Sequence, residues 1–287
     1  MTNALDRAGL ISYVDRYLDA LVAKDASRLP LSPDVRFTEN CQTLALGKGL
    51  WATVEGRGPY RVDFADPTSG QVGCFATVVE MGNLAVLTLR LRVEDQRISE
   101  VETLVARFGI SITHFQPEAL KEPKSMLLER VPEAERFPRD KLVEITNSYF
   151  DGLEQSDGTI VPIHPDCIRL ENGVQTTSNP SRAGIGRLAV TEGLSSGFYK
   201  YISEIRDRRF PILDEEYGLS FAIVFFEHPG NVRSVDVPGL GVLEMAPFAL
   251  KPSSAMIAEL FKIRNGQIHH IEAVLDFLPY GIRSGWD

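Results

Sequence analysis

Apolar residues recur at helical spacing near the start of the chain, with Ile11, Val14, Leu18, Leu21 and Val22 on one face. The spacing predicts an opening helix. A short strand ending at Glu39-Asn40 follows, then a Gly-rich stretch expected to be loop with a short helix. Beyond it, long apolar runs predict strands at Cys74–Met81, Leu84–Val93 and Ile98–Val105, with Gly82-Asn83 as a turn signal. The same order returns later. Strands are expected at Leu219–Phe226, Met256–Arg264 and Ile268–Leu275, with Asn265-Gly266 between the last two. A helix followed by an antiparallel meander is an α+β pattern, in which helices pack on one face of a curved antiparallel sheet.

The recurrence is an internal repeat. RYLDALVAKDASRLPLSPDVRFTENCQTL aligns with SYFDGLEQSDGTIVPIHPDCIRLENGVQT at a constant offset of 132. Tyr17 meets Tyr149, Asp19 meets Asp151, Pro33-Asp34 meets Pro165-Asp166, and Glu39-Asn40 meets Glu171-Asn172. By the closing strand the offset has grown to 170, since Ile98 meets Ile268 and Glu102 meets Glu272. Much of the difference lies in HPGNVRSVDVPGLGVLEMAPFALKP, whose Pro and Gly content marks it as loop. The expected organisation is a first domain over 1–115, a helix-bearing linker over 116–138, and a second domain with a loop insertion over 139–287.

Composition narrows the function classes. The formal charge is -9 and no Lys/Arg block occurs, which argues against nucleic acid as a partner. No apolar run reaches the ~18 residues of a membrane-spanning helix, and the N-terminus lacks a secretory pattern. Three widely spaced cysteines, Cys41, Cys74 and Cys167, fit a reducing compartment, so a cytoplasmic location is expected. No metal-ligand spacing is present, and none of the expected chemistry needs a metal or other cofactor.

RYLDALVAKD with LSPDVRFTEN, and SYFDGLEQSD with IHPDCIRLEN, resemble the first helix and strand of the SnoaL-like and ketosteroid isomerase families of the nuclear transport factor 2-like superfamily. The ending NGQIHHIEAVLDFLPYGIRSGW is similar to the close of a tandem SnoaL-like subfamily. The resemblance implies two tandem cone-shaped α+β barrels. It places Tyr17 and Tyr149 where ketosteroid isomerases carry an oxyanion-stabilising tyrosine, and Glu39 and Glu171 where they carry a carboxylate base. Asn40 and Asn172 stand where those enzymes have proline, and no second oxyanion-hole acid is evident, which argues against steroid isomerisation. Tandem relatives include lyases releasing formaldehyde from lignin-derived diaryl compounds, and isomerases and cyclases of natural products. The function expected is therefore a cofactor-independent lyase on an apolar aromatic small molecule, most specifically a γ-formaldehyde lyase. The alternatives are an isomerase or cyclase of a polycyclic compound or steroid, and a non-catalytic binding module.

The physics of such a site stands apart from the resemblance. A carboxylate in an apolar interior loses solvation, its pKa rises, and it becomes a competent base near neutral pH. A tyrosine hydroxyl aimed at a substrate oxygen stabilises charge that develops there. Strand alternation puts His269 on the more apolar face with Ile271, Ala273 and Leu275, and His270, Glu272 and Val274 on the other. Tyr149, Glu171 and His269 are the expected catalytic set in the second copy. Tyr17, Glu39, Asn40, Asn172, Tyr217 and Tyr280 are the expected substrate contacts. Each also has a structural reading: the tyrosines as core rings, the repeated Glu-Asn pairs as strand-end brackets. The mixed outer face of the last strand predicts a homo-oligomer, a dimer through sheet faces.

Overall fold

The computed structural model describes residues 5–109 and 114–286. Helix α1 (Arg7–Ala23) is started by Asp6, whose carboxylate accepts from the Gly9 amide at 2.7 Å. It buries Leu10, Val14, Tyr17, Leu18 and Leu21, the face the periodicity predicts. β1 (Leu31–Glu39), β2 (Gln42–Thr43), α2 (Leu50–Thr53), β3 (Val54–Asp66), β4 (Gln71–Glu80), β5 (Asn83–Glu94) and β6 (Arg97–Ala106) complete the first half. Their sheet has the order β2-β1-β6-β5-β4-β3, with β1 parallel to β6 and the other neighbours antiparallel.

The connecting segment carries one short helix, α3 (Ser125–Leu128). The second half then repeats the plan with α4 (Arg139–Gln155), β7 (Ile163–Glu171), β8 (Val174–Gln175), α5 (Val190–Ser195), β9 (Glu204–Asp214), β10 (Leu219–His228), β11 (Ser234–Val237), β12 (Gly241–Glu244), β13 (Ser253–Arg264) and β14 (Gln267–Pro279). Its sheet order, β8-β7-β14-β13-β10-β9, is the first one element for element.

Two expectations change. The Gly-rich stretch is largely a strand, β3, and its equivalent in the second half is β9. Both are edge strands with register shifts against their neighbour, near Gly56, Pro59 and Asp207. An edge position tolerates the proline and the bulges that hide the alternation. The Pro/Gly insertion is not all loop, since β11 and β12 form a two-stranded hairpin.

Each sheet buries one face under its own helix. In the first half Leu87, Leu89, Leu91, Val101 and Val105 pack with α1 and Trp51; in the second, Ala222, Val224, Phe261 and Ile271 pack with α4. The opposite faces of the two sheets pack on each other. Phe64 stacks on Phe221 with ring centres 4.7 Å apart, and Val86, Leu104, Met256, Leu260 and Val274 join them. His270, Glu272 and Val274, the face expected to meet a second chain, are buried against the first half instead. There Tyr60 donates its hydroxyl to Glu272 at 2.7 Å, and Arg209 reaches Glu102 at 2.6 Å. Arg208 pairs with Asp151 and Glu154 of α4.

Candidate active site

The two halves diverge at equivalent positions of their sheets. Phe37 pairs with Val101 in the first sheet, and Arg169 pairs with Ile271 in the second. Leu89 pairs with Thr103, and Glu259 pairs with Ala273. The first interior therefore holds Phe37 and Leu89, where the second buries an arginine and a carboxylate. Above them, Tyr17 accepts from the indole N–H of Trp51 at 2.9 Å, and this pair fills the first interior.

In the second half Tyr149 instead accepts from Arg169 at 2.8 Å. The same guanidinium donates to the Tyr199 hydroxyl at 2.7 Å and to Thr176 at 3.0 Å, and lies 3.1 Å from Glu171. Burial works against the Arg169 charge, but Glu171 and the two tyrosines more than offset it and hold the group protonated. Glu259 lies on the same face. Burial pushes its carboxyl up to about 8, and Glu171 adds to the rise, against the opposing effects of Arg169 and the Tyr149 hydroxyl. Its Oε2 has no hydrogen-bond partner among the described residues.

Glu171 and Arg169 open onto a cavity of about 170 Å³ with His114, Tyr199 and Tyr201, roofed by Met245 and Phe248 of the insertion. A smaller chamber of about 50 Å³ continues inward from the same residues to Phe226, His228, Ile257 and Phe277. A larger open groove, about 1010 Å³, runs between residues 107–109 and 276–279 and shares Phe248 and Phe277 with the chamber. His114 Nε2 is 3.9 Å from Glu171, and burial lowers its pKa, with Arg182 and Arg169 adding to the fall against Glu171. His228 is 3% exposed, burial pushes its pKa down to about 4, and its Nδ1 has no partner among the described residues. A buried polar atom left unpaired costs about 1–3 kcal/mol, so such atoms call for an explanation.

The structure brings Tyr149 and Glu171 together through Arg169 and places the other expected residues elsewhere. His269 falls in a bulge of β14: Lys262 pairs with His270 but its neighbour Ile263 with Ile268, which leaves His269 as the extra residue and breaks the alternation that aimed it inward. Its ring stacks on His164 at 4.3 Å, in a separate surface pocket beside Arg264. Tyr17 is sealed under Trp51. Glu39 accepts from the Leu50 amide at 2.8 Å and from Arg107 at 2.9 Å, so it anchors α2. Asn172 holds both backbone groups of Leu275, at 3.0 Å each, and Asn40 holds those of Val105 and also donates to Asp276. Both asparagines sit at φ 45°, the left-handed region that Asn tolerates best after Gly. Tyr217 lies under the Arg7 guanidinium at 3.7 Å, and Tyr280 is half exposed beyond the sheet. Trp286 reaches the first half, donating to Thr38 at 2.9 Å.

Arg169, Glu259, Tyr199, Tyr201, His114 and His228 were not singled out from the sequence. The signal for the first two was present: comparison of the copies puts a charged residue where the other copy has Phe or Leu. Among the described residues, no group of His, Cys, Asp and Glu is arranged to hold a metal ion, and no helix is long and apolar enough to cross a membrane.

Residues 135–275 match a family described as a domain of unknown function, DUF8021. No curated protein matches the chain. Solved structures resemble about a third of it. A steroid delta-isomerase from Pseudomonas aeruginosa is 17% identical over 36% of this chain and 83% of its own, with a TM-score of 0.29. A candidate polyketide cyclase from Silicibacter sp. is 20% identical over 35% and 91%, with a TM-score of 0.28. A designed protein with a curved β-sheet is 18% identical over 35% and 88%, with a TM-score of 0.30.

Proposed function

We propose that the second half is a cofactor-independent acid–base catalyst of the isomerase or cyclase type, acting on a small, largely apolar molecule with an enolisable carbonyl. The observation that supports this most is the convergence of Glu171 with the N–H and O–H groups of Arg169 and Tyr199 on one cavity. In this reading the Glu171 carboxylate takes a proton from the carbon next to the carbonyl. The electron pair moves onto the carbonyl oxygen, where Arg169 and Tyr199 stabilise the negative charge. His114, which burial keeps neutral near pH 7, is the second group able to carry a proton. Return of the proton to a different carbon completes an isomerisation. Attack of the enolate carbon on a second carbonyl completes a ring closure. Nothing in the cavity selects carbon–carbon cleavage, so the reading keeps to proton transfer rather than formaldehyde release.

The test is hydrogen–deuterium exchange at the α-carbon of 2-tetralone in D₂O, followed by NMR. Wild-type protein should accelerate exchange over buffer, and Glu171→Gln should remove most of the acceleration. Equal rates in the two proteins would remove Glu171 as the base.

A further inference from the structure

The inner chamber holds more than the acid–base reading uses. Four rings pack on one another along its wall. Tyr201 stacks on His228 with centres 5.3 Å apart, His228 meets Phe277 at 5.6 Å, Phe277 meets Phe248 at 5.1 Å, and Phe248 meets Tyr201 at 6.5 Å. All four line the chamber. Three of the rings are fully accounted for as apolar packing surface or as a tyrosine. The imidazole is not: it is buried, faces the chamber, and keeps an unpaired nitrogen.

We propose that His228 is a specificity-determining residue that recognises a hydroxyl on the flat ring of the ligand. The ring occupies the 170 Å³ cavity against Tyr201 and Phe248, and the hydroxyl enters the adjoining chamber and completes the hydrogen bonding of the imidazole. The other end of the ligand lies at Arg169 and Glu171, which line the same chamber. This rests on the reading of that cavity as the substrate site. Aromatic boxes also bind organic cations. Two features favour a hydroxylated ring here. A quaternary cation has no group to pair with the imidazole, and the buried guanidinium of Arg169 faces the same space. Burial holds the imidazole neutral, so one nitrogen donates and the other accepts, and a hydroxyl can satisfy either.

The probes are 4-hydroxybenzoate, benzoate and choline, with binding measured by calorimetry. Each benzoate offers a carboxylate to Arg169 and a ring to Tyr201 and Phe248; they differ only in the hydroxyl. Wild-type protein should bind 4-hydroxybenzoate about 10-fold more tightly than benzoate, the ratio expected for one hydrogen bond to a buried group. His228→Phe, which keeps an aromatic ring and removes both nitrogens, should bind both alike at the benzoate level. A preference that survives in His228→Phe, equal binding of the two probes to wild type, no binding of either, or tighter binding of choline would each overturn the proposal. Should His228→Phe fail to fold, the ¹⁵N resonances of the His228 imidazole in wild type decide: they should move with 4-hydroxybenzoate and not with benzoate, and no difference overturns it. Glu171→Gln should lose α-proton exchange while keeping the preference. Exchange without the preference defeats the His228 assignment alone, and the preference without exchange defeats the acid–base reading alone.

Discussion

Arg169 donates to the hydroxyl of Tyr149 across 2.8 Å, inside a half whose twin has Phe37 at the arginine position and Trp51 as the partner of its tyrosine. One copy of the fold thus filled its interior with rings and aliphatics. The other keeps a buried charge that Glu171, Glu259, two tyrosines and a threonine surround. A buried arginine is costly unless its surroundings pair with it, and truncating one partner of such a pair exposes that cost.

Arg169→Met should therefore destabilise the protein by about 3–5 kcal/mol, since it leaves Glu171 without its counter-charge. The double variant Arg169→Met with Glu171→Gln removes both charges of the pair. It should recover most of that loss while remaining inactive, because replacing a buried pair by uncharged groups is often neutral or better. Urea denaturation measures both. A double variant no more stable than Arg169→Met would show that the cluster is held by something other than charge pairing.

The repeated glutamates should separate by readout. Glu171→Gln is expected to reduce turnover of the folded protein by roughly 10²–10⁴-fold, the usual contribution of a general base, beyond any stability it costs by leaving Arg169 without its counter-charge. Glu39→Gln should leave turnover unchanged and cost about 1–3 kcal/mol, because it weakens the hold on Leu50 and Arg107. Circular dichroism and thermal melts, alongside the exchange assay, check both. A catalytic loss from Glu39→Gln without loss of stability would contradict the division of roles.

Glu259 predicts a pH dependence with a definite sign. Burial raises its carboxyl from 4.5 to about 8, so between those values the folded state binds a proton that the unfolded state has released. Its contribution is fully present below about 4.5 and is lost as pH rises to about 8. Opposing trends from His228 are shared by wild type and variant. The quantity to follow is thus the melting temperature of wild type minus that of Glu259→Gln. This difference should fall steadily from pH 4.5 to pH 8. A flat difference would mean that Glu259 is ionised throughout.

The asparagine brackets should behave alike in both halves. Asn172→Ala removes two bonds to Leu275 and places alanine in the left-handed region, for a combined cost of about 2–5 kcal/mol. Asn172→Gly relieves the backbone part and should recover about 1–2 kcal/mol. Asn40→Ala should cost a comparable amount through Val105. If Asn172→Ala were neutral to stability but abolished exchange, Asn172 would belong to the site rather than to the frame.

The α+β plan, the internal repeat and the strands of each meander were legible in the chain, because helical spacing and long apolar runs are local signals and the repeat supplies two readings of each. The edge strands β3 and β9 were hidden because proline, glycine and bulges disturb alternation where a sheet edge tolerates them. Tyr149 and Glu171 could be picked out by their repeat partners, Tyr17 and Glu39. The repeat could not say that Glu39 anchors α2 while Glu171 faces a cavity, since that depends on what the rest of each half places opposite.

His269 shows the limit most directly. Its alternation with Ile271 and Ala273 was a sound inference from a regular strand, and one bulge at residues 268–270 moved it to another surface. The outer face of β14 read as an interface, and it is one, but its partner is the first half of the same chain. By itself the sequence determined the repeated α+β architecture, because helical spacing and apolar runs recur at equivalent positions of the two copies. Only the tertiary structure decided that Arg169, Glu171, His114, Tyr199 and His228 share one cavity. They come from separate segments of the chain, and their meeting depends on how β7 and β10 and the insertion are folded over the same sheet face.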